Sequence, residues 1–212
     1  MPVSDARVSD ERAGDARVRD VFDALPARRG HFALESGYHT DLWLTLDALF
    51  VDPVAIAPLV AALAGRLRAH APTAVCGPLL GGAFLAQAIA THLAVKFFAV
   101  EPAPAAAAPA GELFAARYRL PPGQRALVRG ERVAVVDDAI SAGSSVRAAI
   151  AALTDAGASI AAVGALLVLG DAARAHFAAQ RVPVEMLGHR ALSLSAPDAC
   201  ALCRAGVALE RP

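Results

Sequence analysis

No charge of one sign dominates this chain: its 212 residues carry 20 basic and 20 acidic side chains. That balance argues against a broad nucleic-acid surface, because binding a phosphate backbone needs a clustered excess of Lys and Arg. It leaves room for a small anionic ligand, which needs only a local site. Aromatic residues are scarce, at 5% of a chain that is 56% hydrophobic, and much of the apolar content is alanine. The core is therefore expected to be helix-rich and closely packed. No apolar run reaches the roughly 18 residues of a transmembrane helix without a charge or a breaker, so no membrane partner is expected. The opening "MPVSDARVSDERAGDARVRD" alternates acids with arginines and lacks the apolar centre of a signal peptide. Only three cysteines are present, Cys76, Cys200 and Cys203, too few for a disulfide framework in a chain of this size. A soluble cytoplasmic protein is the expectation.

What is there is an alternation of strand-like and helix-like segments. Residues 1–14 are expected to be a flexible start, and 15–212 a single domain, with a first helix over about 15–28. "HFALESGYHTDLWLTLD" reads as two short strands around a turn. "PVAIAPLVAALAGRLRAH" opens at Pro53 and spaces Ile56, Leu59, Val60, Leu63 and Leu67 helically. Strands are expected at "TAVCG", "AVKFFAV", "RVAVVD", "SIAAVGALLVLGD" and "VPVEML", and helices at "GGAFLAQAIATHL", "SSVRAAIAALTDAG" and "AARAHFAAQ". Residues 101–112 contain Pro102, Pro104 and Pro109 without periodicity, which reads as a mobile loop. Near-continuous apolar strands alternating with helices imply an α/β fold, an open parallel sheet covered on both faces. Such sheets bind ligands at the carboxyl ends of their strands.

The most informative stretch is "VAVVDDAISAGSSV". Two adjacent acids, Asp137 and Asp138, are expected at the end of a strand. Ala139, Ser141, Ala142, Gly143, Ser144 and Ser145 then lead into a helix. Small side chains and Gly143 leave the backbone open to a ligand, and Ser144 or Ser145 can cap the helix. The first N–H groups of that helix lack partners and carry the positive end of its dipole, a place suited to phosphate. Ionised carboxylates only accept hydrogen bonds, so their natural partners are ribose hydroxyls or a water-bound Mg²⁺. A phosphate cradle beside a diol clamp describes a site for a ribose 5-phosphate group. The stretch has neither the Gly-Lys-Ser/Thr ending of a P-loop nor the G-x-G-x-x-G of dinucleotide sites.

This stretch closely resembles the phosphoribosyl pyrophosphate (PRPP) motif of type I phosphoribosyltransferases. "GHFALESGYHTDLWLTLDALFVDP" looks like the N-terminal hood of the orotate phosphoribosyltransferases, here about residues 20–50. "VCGPLLGGAFLAQAIA" is similar to their pyrophosphate loop, and "CALCRAGVAL" to the cysteine-pair ending of some members. The resemblance implies a type I phosphoribosyltransferase fold and Mg²⁺-dependent transfer of a ribosyl 5-phosphate from PRPP to a base, with orotate the leading candidate. It implies that Asp137 and Asp138 meet the ribose hydroxyls, through Mg²⁺ or directly, and that Ser141 to Ser145 hold the 5-phosphate. Gly77, Pro78, Leu79, Leu80 and Gly81 would approach the pyrophosphate, and Phe32, Ser36 and Gly37 would enclose the base. A homodimer is implied as well.

The chain also departs from the family. Members carry an Arg-Lys pair after the strand equivalent to "VKFFAV", then basic residues and a His on a mobile loop. Here Glu101 and Pro102 stand at that place, and residues 101–112 contain no Lys and no His. One transition-state contact of this kind can carry roughly 10³-fold of rate. Arg117 and Arg119 are candidate replacements, although a solvated strand face explains them equally well, and Lys96 reads as a strand-end surface lysine. The family's later strand ends in an Asp-Arg pair that receives the orotate carboxylate, whereas here Ala172 follows Asp171 and the nearest arginine is Arg174. These departures keep two alternatives open: a PRPP- or nucleotide-binding protein with little or no transferase activity, and transfer to a different base. Cys200 and Cys203 have Cys-x-x-Cys spacing, but a structural zinc site needs about four ligands. With Cys76 in a buried strand and His189 the nearest histidine, a thiol pair without metal is expected. His31 and His39 flank the hood and could touch a base, although surface or hydrogen-bonded turn histidines are expected, and Trp43 is expected as a core or interface residue rather than a stacking platform.

Overall fold

The apolar runs fold as a sheet wrapped by helices in the computed structural model, which describes residues 26–104, 113–114 and 116–212. The expected flexible start, most of the first helix and most of loop 101–112 lie outside these residues. The strands are β1 (Ala27–Ala33), β2 (His39–Leu44), β3 (Ala74–Pro78), β4 (Lys96–Pro102), β5 (Tyr118–Arg119), β6 (Arg132–Ile140), β7 (Ser159–Leu169) and β8 (Val184–Arg190). The helices are α1 (Pro53–Arg68), α2 (Gly81–Leu93), α3 (Pro122–Arg125), α4 (Ser144–Asp155), α5 (Ala172–Ala179) and α6 (Ala201–Arg204). Six strands form the main sheet in the order β5-β4-β3-β6-β7-β8. All its pairings are parallel except that of the two-residue edge strand β5 with β4.

Alternation along β6 covers both faces. Ala134 and Val136 pack into a core with Leu63 and Leu67 of α1 and Leu85 and Ile89 of α2. Val133 and Val135 point the other way, to Val146 and Leu153 of α4 and Phe177 of α5. The chain leaves β3 through α2 toward β4, and leaves β6 through α4 toward β7, so the connections diverge from two neighbouring strands. That divergence is the topological switch point at which open α/β sheets hold ligands.

Several expectations change in detail. The helix expected to reach residue 28 gives way to β1 from Ala27, whose Arg29 and Phe32 flank a bulge. Asp137 and Asp138 lie inside β6 rather than at its end, because pairing with β7 continues to Ile140. Glu101 and Pro102 are not loop residues but the end of β4, paired with Arg119 and Tyr118. β5 and the single turns α3 and α6 are too short to leave a periodic signal.

The hood is the antiparallel pair β1–β2, and the C-terminal segment stitches it on both edges. The His39 and Ser195 backbones exchange N–H···O bonds of 2.8 and 2.9 Å. On the other side, Ala33 N–H donates to the Glu210 carbonyl at 2.9 Å and Glu210 N–H to the His31 carbonyl at 2.8 Å.

Helix α1 is set by its ends and by one face. The Asp52 carboxylate accepts from the N–H groups of Val54 and Ala55 at 2.9 and 3.1 Å, which caps the helix, and Pro53 fits the first turn. Asp52→Ala is expected to cost about 1 kcal/mol. Leu63→Ala, which empties a fully buried site, is expected to cost about 2–5 kcal/mol. Urea unfolding of each variant against the parent measures both losses.

Candidate functional site

The switch point places the carboxyl end of β6 beside the loop that leaves β3. Between the end of β6 and the hood lies a cavity of about 490 Å³, and Gly77 to Gly81 are not among the residues that line it; its size is within the usual range for small-molecule sites. Its floor is Asp137, Asp138, Ser141, Gly143, Ser144 and Ser145; Ser36 and Trp43 come from the hood side. The acids and the small-residue loop thus face one space.

Gly143 adopts φ +83° and serves as N-cap of α4, with no side chain capping the helix. The capping role expected for Ser144 or Ser145 is therefore not taken up: Ser144 is the first helical residue. Its hydroxyl instead points to Glu35 Oε2 at 3.5 Å. The leading N–H groups of α4 stay available at the cavity, as an anion site requires.

The acid pair and the β3–α2 loop are in direct contact. A Cβ on Gly82 would lie 2.7 Å from Asp137 Oδ1, one on Gly81 would overlap the Asp138 carboxylate, and one on Gly77 would overlap the Gly82 carbonyl. Three glycines are thus fixed by close approach rather than by turn geometry. The Leu79–Leu80 peptide between them is cis. Asp137 Oδ1 accepts from Asp138 N–H at 3.1 Å, and Asp138 Oδ1 from Ala139 N–H at 2.7 Å.

Burial, and then the neighbouring Asp138 charge, hold the Asp137 carboxyl well above its ordinary range. Burial also raises Asp138. Glu35 and Asp47 line the same cavity, and no Lys or Arg is among the described residues that line it. Glu35 is anchored by the Tyr118 hydroxyl, which donates to Oε1 at 2.8 Å. Sequence reasoning passed over Glu35, Asp47 and Tyr118. Glu35 was the most accessible of the three, since it precedes Ser36 in the hood stretch.

Residues 52–179 match the family described as the phosphoribosyl transferase domain. The chain belongs to the phosphoribosyltransferase family. Relatives agree over nearly its whole length. The orotate phosphoribosyltransferase of Thermotoga maritima is 30% identical over 202 residues, covering 92% of this chain and 96% of that one. The orotate phosphoribosyltransferase of Caldanaerobacter subterraneus is 28% identical over 201 residues, covering 92% and 95%. Among solved structures, orotate phosphoribosyltransferase from Aeropyrum pernix superposes with a TM-score of 0.60 at 23% identity, covering 82% of this chain and 92% of that one. Adenine phosphoribosyltransferase from Rhodothermus marinus gives 0.65 at 17%, covering 82% and 99%. The fold is that of a type I phosphoribosyltransferase.

In this phosphoribosyltransferase the other expected site residues divide. Ser36 lines the cavity and Gly37, at φ +83°, turns the hood hairpin. Phe32 is buried inside the hood, its ring 6.0 Å from Trp43, while Trp43 itself reaches the cavity. Ala142 is buried beneath the loop. Arg119 forms an ion pair of 2.9 Å with Glu101 at the sheet edge, and Arg117 bonds the Phe114 and Ala116 carbonyls. Lys96 pairs with Glu131 at 2.6 Å on the surface, and Arg174 pairs with its own helix neighbour Asp171 at 3.1 Å. His189 is not beside the cysteines; its ring approaches the Gly170 carbonyl at 3.2 Å. The histidines near Cys200 and Cys203 are His31 and His39, brought there by the strand pairing of the tail. Cys76 is sealed within β3, where burial pushes its thiol up to about 12.

Two outcomes follow from this geometry. Gly77→Ala should cost about 1–3 kcal/mol by overpacking, read as a lower urea midpoint. The second concerns charge. The folded-state pKa of Asp137 lies above its unfolded value, so between the two the folded chain holds more protons than the unfolded chain. Stability from this group therefore falls as pH rises from the ordinary carboxylate range through the raised value. Asp137→Asn should raise the Tm by several degrees at neutral pH without added Mg²⁺, and the gain should vanish near about pH 4. Thermal melts across that range measure it.

Proposed function

We propose that this phosphoribosyltransferase moves a ribosyl 5-phosphate from PRPP to orotate, with Mg²⁺, as a cytoplasmic homodimer. The observation that carries the proposal is the meeting of the acid pair and the small-residue helix start in one cavity under the hood. Relatives named orotate phosphoribosyltransferase along 92% of the chain support the choice of base. In this reading the leading N–H groups of α4 and the hydroxyls of Ser141, Ser144 and Ser145 hold the 5-phosphate. Asp137 and Asp138 accept from the ribose hydroxyls and fix the ring. The backbone of Gly77 to Gly81 lies against the pyrophosphate, and the hood at Ser36 and Trp43 covers the base and excludes water. The bond from ribose C1 to pyrophosphate oxygen breaks while a nitrogen of the base bonds to C1, and the electron pair leaves with pyrophosphate.

The adjacent carboxylates of Asp137 and Asp138, both lining the cavity, are the kind of oxygen donors that a hard divalent cation takes. Asp137 and Asp138 would hold Mg²⁺, which supplies charge neutralisation for the departing pyrophosphate when bound. A homodimer is supported by large apolar side chains left exposed. Val51, Val54, Leu80 and Phe84 are exposed, and the Phe84 ring lies 5.9 Å from that of Phe50, tilted against it.

One observation favours a second reading. The cavity's described lining has four carboxylates and no cation, and Arg119 is engaged by Glu101. That composition suits a PRPP- or nucleotide-binding protein with little turnover, or a base other than orotate. Pyrophosphate release from PRPP and Mg²⁺, with and without orotate, separates these. Orotate-dependent release is expected, with a loss of about 10²–10³-fold in Asp137→Asn/Asp138→Asn. PRPP binding by folded protein without release would favour the second reading. Because both arginines lie outside the cavity lining, Arg117→Ala/Arg119→Ala is expected to keep turnover within a few-fold. A collapse of kcat in folded protein would make them the replacement cations.

A further inference from the structure

The four side chains nearest one another at the junction of hood and tail are His31, His39, Cys200 and Cys203. Their donor atoms all lie within 4.8 Å of one another. His31 Nε2 is 3.1 Å from His39 Nδ1, and 3.4 and 3.6 Å from the sulfurs of Cys200 and Cys203. Cys203 Sγ is 3.3 Å from His39 Nδ1. We infer that these four residues form a tetrahedral zinc site that fastens the C-terminal segment to the hood.

The distances match the ligand shell of the ion. With Zn–N of about 2.0 Å and Zn–S of about 2.3 Å, the edges of a tetrahedron are about 3.3 Å between nitrogens and about 3.5 Å between nitrogen and sulfur. The one nitrogen–nitrogen and three nitrogen–sulfur separations given above lie close to these edges. A two-sulfur, two-nitrogen set of this shape selects zinc over hard cations. The second ring nitrogen supports the same assignment. His31 Nδ1 lies 2.8 Å from the Val207 carbonyl, to which it donates. Its Nε2 is then the unprotonated nitrogen, aimed into the cluster, the outer-sphere arrangement of metal-bound histidines. His31, His39 and Cys200 are buried, and Cys203 closes the cluster on the solvent side.

The fold assembles the set from two distant places. The bulge between Arg29 and Phe32 in β1 lets the consecutive side chains of His31 and Phe32 both turn inward. β2 starts with His39, and the Cys-x-x-Cys pair comes from Cys200, the N-cap of α6, and Cys203 within it. When zinc binds, two thiol protons leave to solvent, and the two thiolates balance the charge of the ion. None of the four residues lines the cavity, so the site's role is to hold the hood and not to take part in transfer. It stands whether or not the cavity acts on orotate.

The test is metal content and its consequence in the full chain. Protein produced with added zinc should carry one zinc per chain by elemental mass spectrometry. Cys203→Ser, at the exposed ligand, and His39→Ala should lose it, while Cys76→Ala should keep it. Stripped protein given Co²⁺ should show the intense ligand-field and thiolate charge-transfer bands of tetrahedral sulfur–nitrogen coordination. Chelation should lower the Tm of the parent and leave that of Cys203→Ser unchanged. Folded parent protein that neither carries zinc nor takes it up on titration would overturn the inference. So would a mass two hydrogens short that maps to a Cys200–Cys203 disulfide.

Discussion

Two carboxylates are held side by side in a place with little water, and much of the architecture accommodates them. Asp137 and Asp138 stand on the central strand of the sheet, so neither can swing away. Their neighbours across the switch point are Gly81 and Gly82, which leave room because they have no side chains. Glu35 and Asp47 add charge of the same sign. The folded chain therefore concentrates like charge at its cavity; in the function proposed above, a diol or a divalent cation would relieve it.

That concentration of charge needs a rigid frame. The frame is the doubly covered sheet, whose central strands β3, β6 and β7 are buried on both faces by α1 and α2 on one side and α4 and α5 on the other. The hood is built differently. It is only two strands, and a two-stranded hairpin is marginal on its own. Its edges are paired by the tail at Ser195 and Glu210, and the His31–His39–Cys200–Cys203 cluster joins the same two parts. The sheet positions the floor of the cavity, and the tail positions its cover.

Most of the sheet was legible from local patterns. Buried parallel strands are continuous apolar runs, and α1 showed both its cap and its apolar face in the sequence. The PRPP motif revealed the acid pair because two acids after four apolar residues serve no packing purpose. What stayed hidden was long-range. Nothing local to "CALC" names His31 or His39 as its partners, since the bulge and tail pairing that bring them together have no periodicity. Glu35 was hidden for a similar reason: an exposed-looking acid in a turn becomes a cavity wall only once Tyr118 and Ser144 arrive from other elements. The pairing of Glu101 with Arg119 depends on β5, which is too short to announce itself.

The stitching of the hood by the tail also orders events during synthesis. His31 and Val207, joined by a hydrogen bond, are 176 residues apart in the chain. The hairpin precedes the main sheet in the chain, yet its outer partners follow that sheet. Until then the two strands have open edges, and the sheet can form beneath them without a finished cover. The cover is therefore finished only once the segment around Ser195 and Glu210 has followed the sheet. Contacts of such long separation are slow to close, so the floor of the cavity can form before its roof.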